Sequence, residues 1–165
     1  MKIVGVLLLS SIPVFWGIGQ NIYLNRRTTL LSDIMQIIMT TKEMIRFSKI
    51  EIDKLFSFLL SQSVFSKDSK FLIDKVMKKR DYKDIFKSLK EITPNLLKDD
   101  EVLLLAEFFS YLGKSDVKGQ MELCDFYFTE FQRIKIREEG LKIEKSRLKL
   151  GLSLSLGAGI FIILI

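Results

Sequence analysis

Residues 99–121 read DDEVLLLAEFFSYLGKSDVKGQM, and the rest of the chain is best read outward from them. Three acids open the run, then Leu104, Leu105, Phe108 and Phe109 recur at helical spacing, and Gly113 follows the last of them. Carboxylates suit the positive end of a helix dipole, and Asp99 or Asp100 is placed to cap a helix running to Leu112. Capping charge is therefore a better account of Asp99-Asp100-Glu101 than a cation site. A glycine just past an apolar stripe suits a left-handed stop. Ser115 or Asp116 then supplies the side-chain oxygen that starts another helix.

The same grammar extends to both sides. From 25 to 149 the only breakers are Pro94, Gly113, Gly119 and Gly140, and no stretch alternates as a half-buried strand does. The middle of the chain is therefore expected to be all-α, with six helices. The first covers about 28–47 on Leu31, Ile34, Ile38 and Ile45, and the second about 51–62 on Leu55, Phe56, Leu59 and Leu60. The third, about 67–79, is expected to bury Phe71, Leu72 and Met77. The fourth, 82–92, is capped by Asp81 and carries Ile85, Phe86 and Leu89. Thr93-Pro94-Asn95 separates it from the fifth. The sixth carries Val117, Met121, Cys124, Phe128 and Phe131 in a four-three spacing. Past Ile134 that pattern thins, which predicts an exposed stalk.

The two ends differ from this middle. Residues 3–24 carry no charge and hold 14 apolar residues of 22, and residues 150–165 hold 11 of 16. At 1.5 Å per residue the first gives roughly 33 Å, the thickness of a bilayer core. The second gives only about 24 Å and needs snorkelling of Arg147 and Lys149 or local thinning. Two transmembrane helices are expected. The rival for the first is a cleaved signal peptide, with Lys2 as its charged start and Gly17-Ile18-Gly19 as its small-x-small site, against which Arg26 and Arg27 count. The expected division is a span over 3–24, a helical bundle over 25–132, a basic stalk over 133–149 and a span over 150–165. Arg26, Arg27, Lys142, Lys145, Arg147 and Lys149 flank the spans on one side and Lys2 on the other, so the middle is expected to face the cytoplasm. Gly151, Ser155 and Gly159 line one face of the last segment, a small-residue surface suited to packing against another membrane helix.

Candidate chemistry is sparse. The chain has no His and one Cys, which excludes His-based triads, His-ligated metals, an internal disulfide and thiolate clusters. No phosphate-binding loop or dinucleotide glycine pattern occurs. Cys124 falls on an apolar stripe and reads as core. Phe126, Tyr127 and Phe128 point in different directions on a helix, so core packing explains them better than base stacking. The net charge of +6 is interleaved with acids, which weakens a nucleic-acid reading. The basic residues from Arg133 to Lys149 form a solvated face suited to anionic headgroups. No enzyme, cofactor, metal or small-molecule substrate is expected.

The order of parts resembles the stage III sporulation protein AB family. The resemblance rests on Leu112-Gly113-Lys114-Ser115-Asp116 followed by Gln120, and on Leu150-Gly151 opening the last segment. Glu43 to Phe47 is similar, less closely, to the end of the family's first soluble helix. The resemblance implies a six-helix domain of the type II secretion F kind, flanked by transmembrane helices. It implies a non-enzymatic platform in a channel between mother cell and forespore, partnered by a secretion-type ATPase, other membrane subunits and lipid. Gly113, Ser115 and Asp116 are candidate partner contacts as well as stop and cap. A membrane-tethered adaptor or signalling module is the alternative from the residues alone. A small membrane enzyme is the third reading, disfavoured by the missing nucleophile–base set.

The charge asymmetry makes topology testable. A reporter fused after residue 80 is expected to be active only in the cytoplasm; activity only outside the membrane would overturn the orientation and favour a cleaved leader.

Overall fold

The computed structural model describes the backbone of residues 2–48, 52–79 and 81–164, and the side chains of residues 23–47, 52–79, 81–141 and 155. Among the described residues the chain is all-α, in six helices: α1 (Lys2–Ser48), α2 (Ile52–Ser61), α3 (Lys67–Met77), α4 (Tyr82–Ile92), α5 (Asp99–Tyr111) and α6 (Val117–Leu164). Their order is the one expected. Helix α1 is longer than expected, because no proline or glycine separates residues 20–30, and α6 runs on past residue 149, as a stretch with no strong stop allows, its Gly140 and Gly151 being isolated glycines that a helix tolerates.

The chain forms two compact units, one of residues 27–135 and one of Met1–Arg26 with Ile136–Ile165. The segments 3–24 and 150–165, read above as spans, lie outside the described side chains except for Tyr23, Leu24 and Ser155. Among the described residues no helix is long and apolar enough to cross a membrane.

In the unit of residues 27–135, α2 packs on α3, α3 on α4 and α4 on α5. The α1 stripe of Leu30, Leu31, Ile34, Ile37 and Ile38 joins the same core, as do Cys124, Tyr127 and Phe131 of α6. Aromatic rings bridge α2, α5 and α6, with Phe56 5.9 Å from Phe109 and Phe108 edge-on to Tyr127 at 5.5 Å. Such pairs add about 0.5–1.5 kcal/mol each beyond their burial.

Three expectations need correction. Phe71 is half exposed on α3, and Ile73 and Val76 fill the inner face beside Leu72. On α6, Cys124 and Phe131 are buried as expected, but Gln120 and Tyr127 take the inner positions beside them in place of Met121 and Phe128, and Val117 is exposed. The N-cap of α5 is Lys98 rather than an aspartate. The Glu101 carboxylate accepts from the Lys98 amide at 2.9 Å in its place, leaving Asp99 to pair with Lys90 on the surface.

Glu101 has a larger role. It is fully buried, and its Oε1 lies 2.7 Å from Arg27 Nη2, itself 4% exposed. Arg27 Nη1 donates to the Leu96 carbonyl, which the break after Pro94 turns inward. Asn95, with φ 68°, makes that turn, a conformation Asn tolerates better than most residues. Arg27 thus ties α1 both to the loop before α5 and to α5 itself. A second tie runs from Asp33 of α1 to the start of α3, accepting from the Ser66 amide at 2.9 Å and the Ser69 hydroxyl at 2.6 Å. On the outside, Lys42 and Asp125 join α1 to α6 at 2.6 Å.

A charge left buried without its partner costs about 3–5 kcal/mol. Arg27→Met is therefore expected to destabilise the chain by about that amount, and Arg27→Met with Glu101→Leu to recover most of it, less roughly 1 kcal/mol for the lost cap. Thermal unfolding of the full chain in detergent checks this; a single variant as stable as the parent would show that the pair does not hold α1.

Candidate functional site

The turn between α5 and α6 carries a closed polar network, and the sequence dictates it residue by residue. α5 ends at Tyr111, and Leu112 leaves the helix with ψ 128°. Gly113 follows at φ +78°, the left-handed stop expected of it, where a Cβ would be strained by roughly 1–2 kcal/mol. That Cβ would also fall 2.2 Å from Ile52 Cδ1 of α2. The Gly113 amide donates to Gln120 Oε1 at 3.0 Å. The Gln120 side-chain amide donates to the Tyr111 carbonyl at 3.2 Å and to Ser115 Oγ at 2.8 Å. One buried amide thus satisfies backbone groups that the end of α5 leaves open.

Asp116 is the N-cap of α6: its carbonyl accepts from the Gln120 amide at 2.9 Å and its Oδ1 from the Gly119 amide at 2.9 Å. Gly119 is required by this closeness. A Cβ there would stand 2.9 Å from Ser115 Oγ and 3.0 Å from Asp116 Oδ1. Gly113, Ser115 and Asp116, named from sequence as stop, cap and contact, are brought together here and remain exposed. Gln120 was visible in the motif, but its role was not; its place in the first turn of α6, four residues after the Asp116 cap, is the signal that it can reach back to Gly113. Gly119 carried a weaker signal, as a glycine in a first helical turn that has no other need of one.

Beside the turn lies a groove of about 210 Å³, lined by Ile45, Ile52, Leu55, Leu112 and Val117 with Gly113, Ser115 and Gln120. None of these residues is a nucleophile with a base beside it. Cys124 lies one turn further along α6, buried in the core rather than in the groove, and burial, reinforced by Asp125 against the opposing Lys42, pushes its thiol up to about 12. It is therefore a neutral, inert thiol near pH 7. Burial and the Glu107 carboxylate push the Tyr127 hydroxyl up as well. Among the described residues no group of three or more acidic or Cys side chains is arranged to hold a metal ion.

The basic residues named as membrane flanks divide. Arg26 is exposed. Arg27 is turned into the core and held by Glu101, so its guanidinium does not serve as a surface charge. Its position three and four residues before Leu30 and Leu31 puts it on the buried stripe, a signal the flank reading passed over. Lys145, Arg147, Lys149, Gly151 and Gly159 lie outside the described side chains, and Ser155 is exposed.

Among known proteins, the family model for stage III sporulation protein AB matches residues 2–165. No curated protein and no solved structure matches the chain.

The network yields a paired stability prediction. Gly113→Val should cost at least about 1–2 kcal/mol through its backbone conformation. Gln120→Leu should cost about 1–3 kcal/mol by leaving the Gly113 amide without a partner and the Tyr111 carbonyl with the Lys114 amide alone. Melting temperatures of the full chain equal to the parent in both variants would show that the turn is not held in this way.

Proposed function

The chain belongs to the stage III sporulation protein AB family, and from that premise we propose that it is a non-enzymatic membrane platform component of a sporulation channel. It is a sporulation protein by family; the platform role is the reading argued here. Its work is to couple a cytoplasmic secretion-type ATPase to membrane subunits of a secretion-like complex between mother cell and forespore. The observation that carries this reading is the extent of the family match, which takes in both apolar ends together with the helical unit. A catalytic protein needs a site; a platform needs a stiff body, anchors and a surface for contact.

The described structure supports the stiff body and the contact surface, and the sequence supports the anchors. Stiffness comes from a continuous core braced by the Arg27–Glu101 and Asp33–Ser69 ties. Anchorage is supported by the charge-free run 3–24 and by the apolar run 150–165 behind Lys145, Arg147 and Lys149, which also suits anionic lipid. Contact is supported by the exposed turn at Gly113, Ser115 and Asp116. Six helices in this unit are what a module of the type II secretion F kind requires, and that kinship is part of the proposal.

Affinity capture of the tagged full chain from membranes of sporulating cells tests the reading. Recovery of a secretion-type ATPase together with other membrane subunits is expected. A capture that contains neither, from cells in which both are present, would sink it and favour a membrane-tethered adaptor outside any secretion complex.

A further inference from the structure

We propose that Arg27 is the coupling residue through which the first apolar segment moves α5, and with α5 the turn at Gly113 to Asp116. The inference rests on the platform reading, in which residues 3–24 cross the membrane, and says how such a platform passes a displacement from its membrane segment to its contact surface. Helix α1 has no assigned break from Lys2 to Ser48, and the two compact units divide along it between Arg26 and Arg27. Arg27 is thus the first residue of the helical unit, three residues after the charge-free run ends at Leu24. It is also buried.

What Arg27 holds is the near end of α5. Its guanidinium meets Glu101, in the first turn of that helix, at 2.7 Å and donates to the Leu96 carbonyl in the loop before it. The other Glu101 oxygen takes the Lys98 amide at 2.9 Å. Loop, cap and helix are therefore gripped by one side chain of α1. A step of one residue along α1 is about 1.5 Å and 100°, enough to part Arg27 from Glu101 and leave two charges in an apolar core. Instead of slipping, α5 follows. Apolar side chains at both positions would allow slip, since the attraction between them is non-directional. The junction on α6, between Lys135 and Ile136, is built differently. There Arg133 pairs with Glu130 of its own helix on the outside, and the inward residue is Phe131.

Helix α5 is then the lever. Its 13 residues reach roughly 20 Å to the turn that Gln120, Ser115 and Asp116 hold closed. A rigid helix gripped at one end and closed at the other carries a small shift over its whole length. The same path runs in reverse, so a partner seated at the turn biases the membrane segment.

The test uses the full chain in vesicles of phosphatidylethanolamine and phosphatidylglycerol, with spin labels on pairs of introduced cysteines. Cys124 is fully buried and does not compete for label. Arg26→Cys with Asp100→Cys, both exposed positions, is expected to give a narrow distance distribution. Arg27→Met with Glu101→Leu should widen it about twofold by allowing slip, while a control pair at Lys75 and Lys87 stays unchanged. Arg27→Lys, which keeps the charge but not the planar two-point grip, should widen it less, and keeps the test open if the apolar pair folds poorly. In sporulating cells the apolar pair should lower the count of heat-resistant spores about tenfold, with the chain at its parental level and its partners still captured. An unwidened distribution, a parental spore count, or loss of the captured partners would overturn the proposal. A chain inserted in the vesicles with unmoved distances would remove the coupling and leave the platform. A chain washed from the vesicles at alkaline pH would remove both.

Discussion

An arginine and a glutamate facing each other inside an apolar core are the constraint on which the helical unit depends. Arg27 and Glu101 are 74 residues apart in the chain and 2.7 Å apart in space. Apolar side chains supply most of the favourable free energy of such a core, about 25 cal/mol per Å² buried, but they tolerate a helix that slides or turns a little. A charge taken out of water does not. Only one placement of α1 lets Arg27 reach both Glu101 and the Leu96 carbonyl while Glu101 also receives the Lys98 amide. The Asp33 contact with Ser66 and Ser69 fixes α1 a second time, one and a half turns further on. Two polar anchors along one helix define its depth and its rotation together.

Much of this architecture was legible in the sequence. The helices were read from period and breakers, and α4 was bounded to the residue, because Asp81 and Thr93-Pro94 are chemically unambiguous signals. Gly113 was read correctly because a glycine after a stripe has few other uses. The misses share one cause, which is that polar residues were assigned outward by type. Arg27 and Glu101 lie on the buried faces of their own helices, in phase with Leu30, Ile34 and Ile37 and with Leu105 and Phe108. Phase alone placed them inside; only their charge argued otherwise, and each charge was answered by the other. Gln120 was noted only as part of a motif, and its burial went unread. Phe71 is the reverse case, an aromatic on the outer face, covered in part by the Lys75 chain above its ring. The groove was not legible, since Ile45, Ile52 and Val117 belong to three helices and no local spacing brings them together.

The α5–α6 turn concentrates what a contact surface needs without spending stability on mobility. Its backbone groups are closed by Gln120, Ser115 and Asp116 among themselves, so a partner need not order it on arrival and loses less entropy in binding. Ile52 packs so near Gly113 that α2 is part of the same surface. The network that ends one helix and begins another therefore also shapes the wall of the groove.

α6 runs from Val117 to Leu164 without an assigned interruption, and its start is fixed by the Asp116 cap. Each residue in an α-helix advances the rotation by about 100°. Asp116 is thus the phase origin for Gln120, Cys124, Tyr127 and Phe131. Inserting or deleting one residue between the cap and Gln120 would turn Cys124, Tyr127 and Phe131 by about 100° away from the core they fill. Between Asp116 and Phe131 the number of residues therefore matters as much as their identity, since the cap at one end and the core at the other both fix the rotation of the helix.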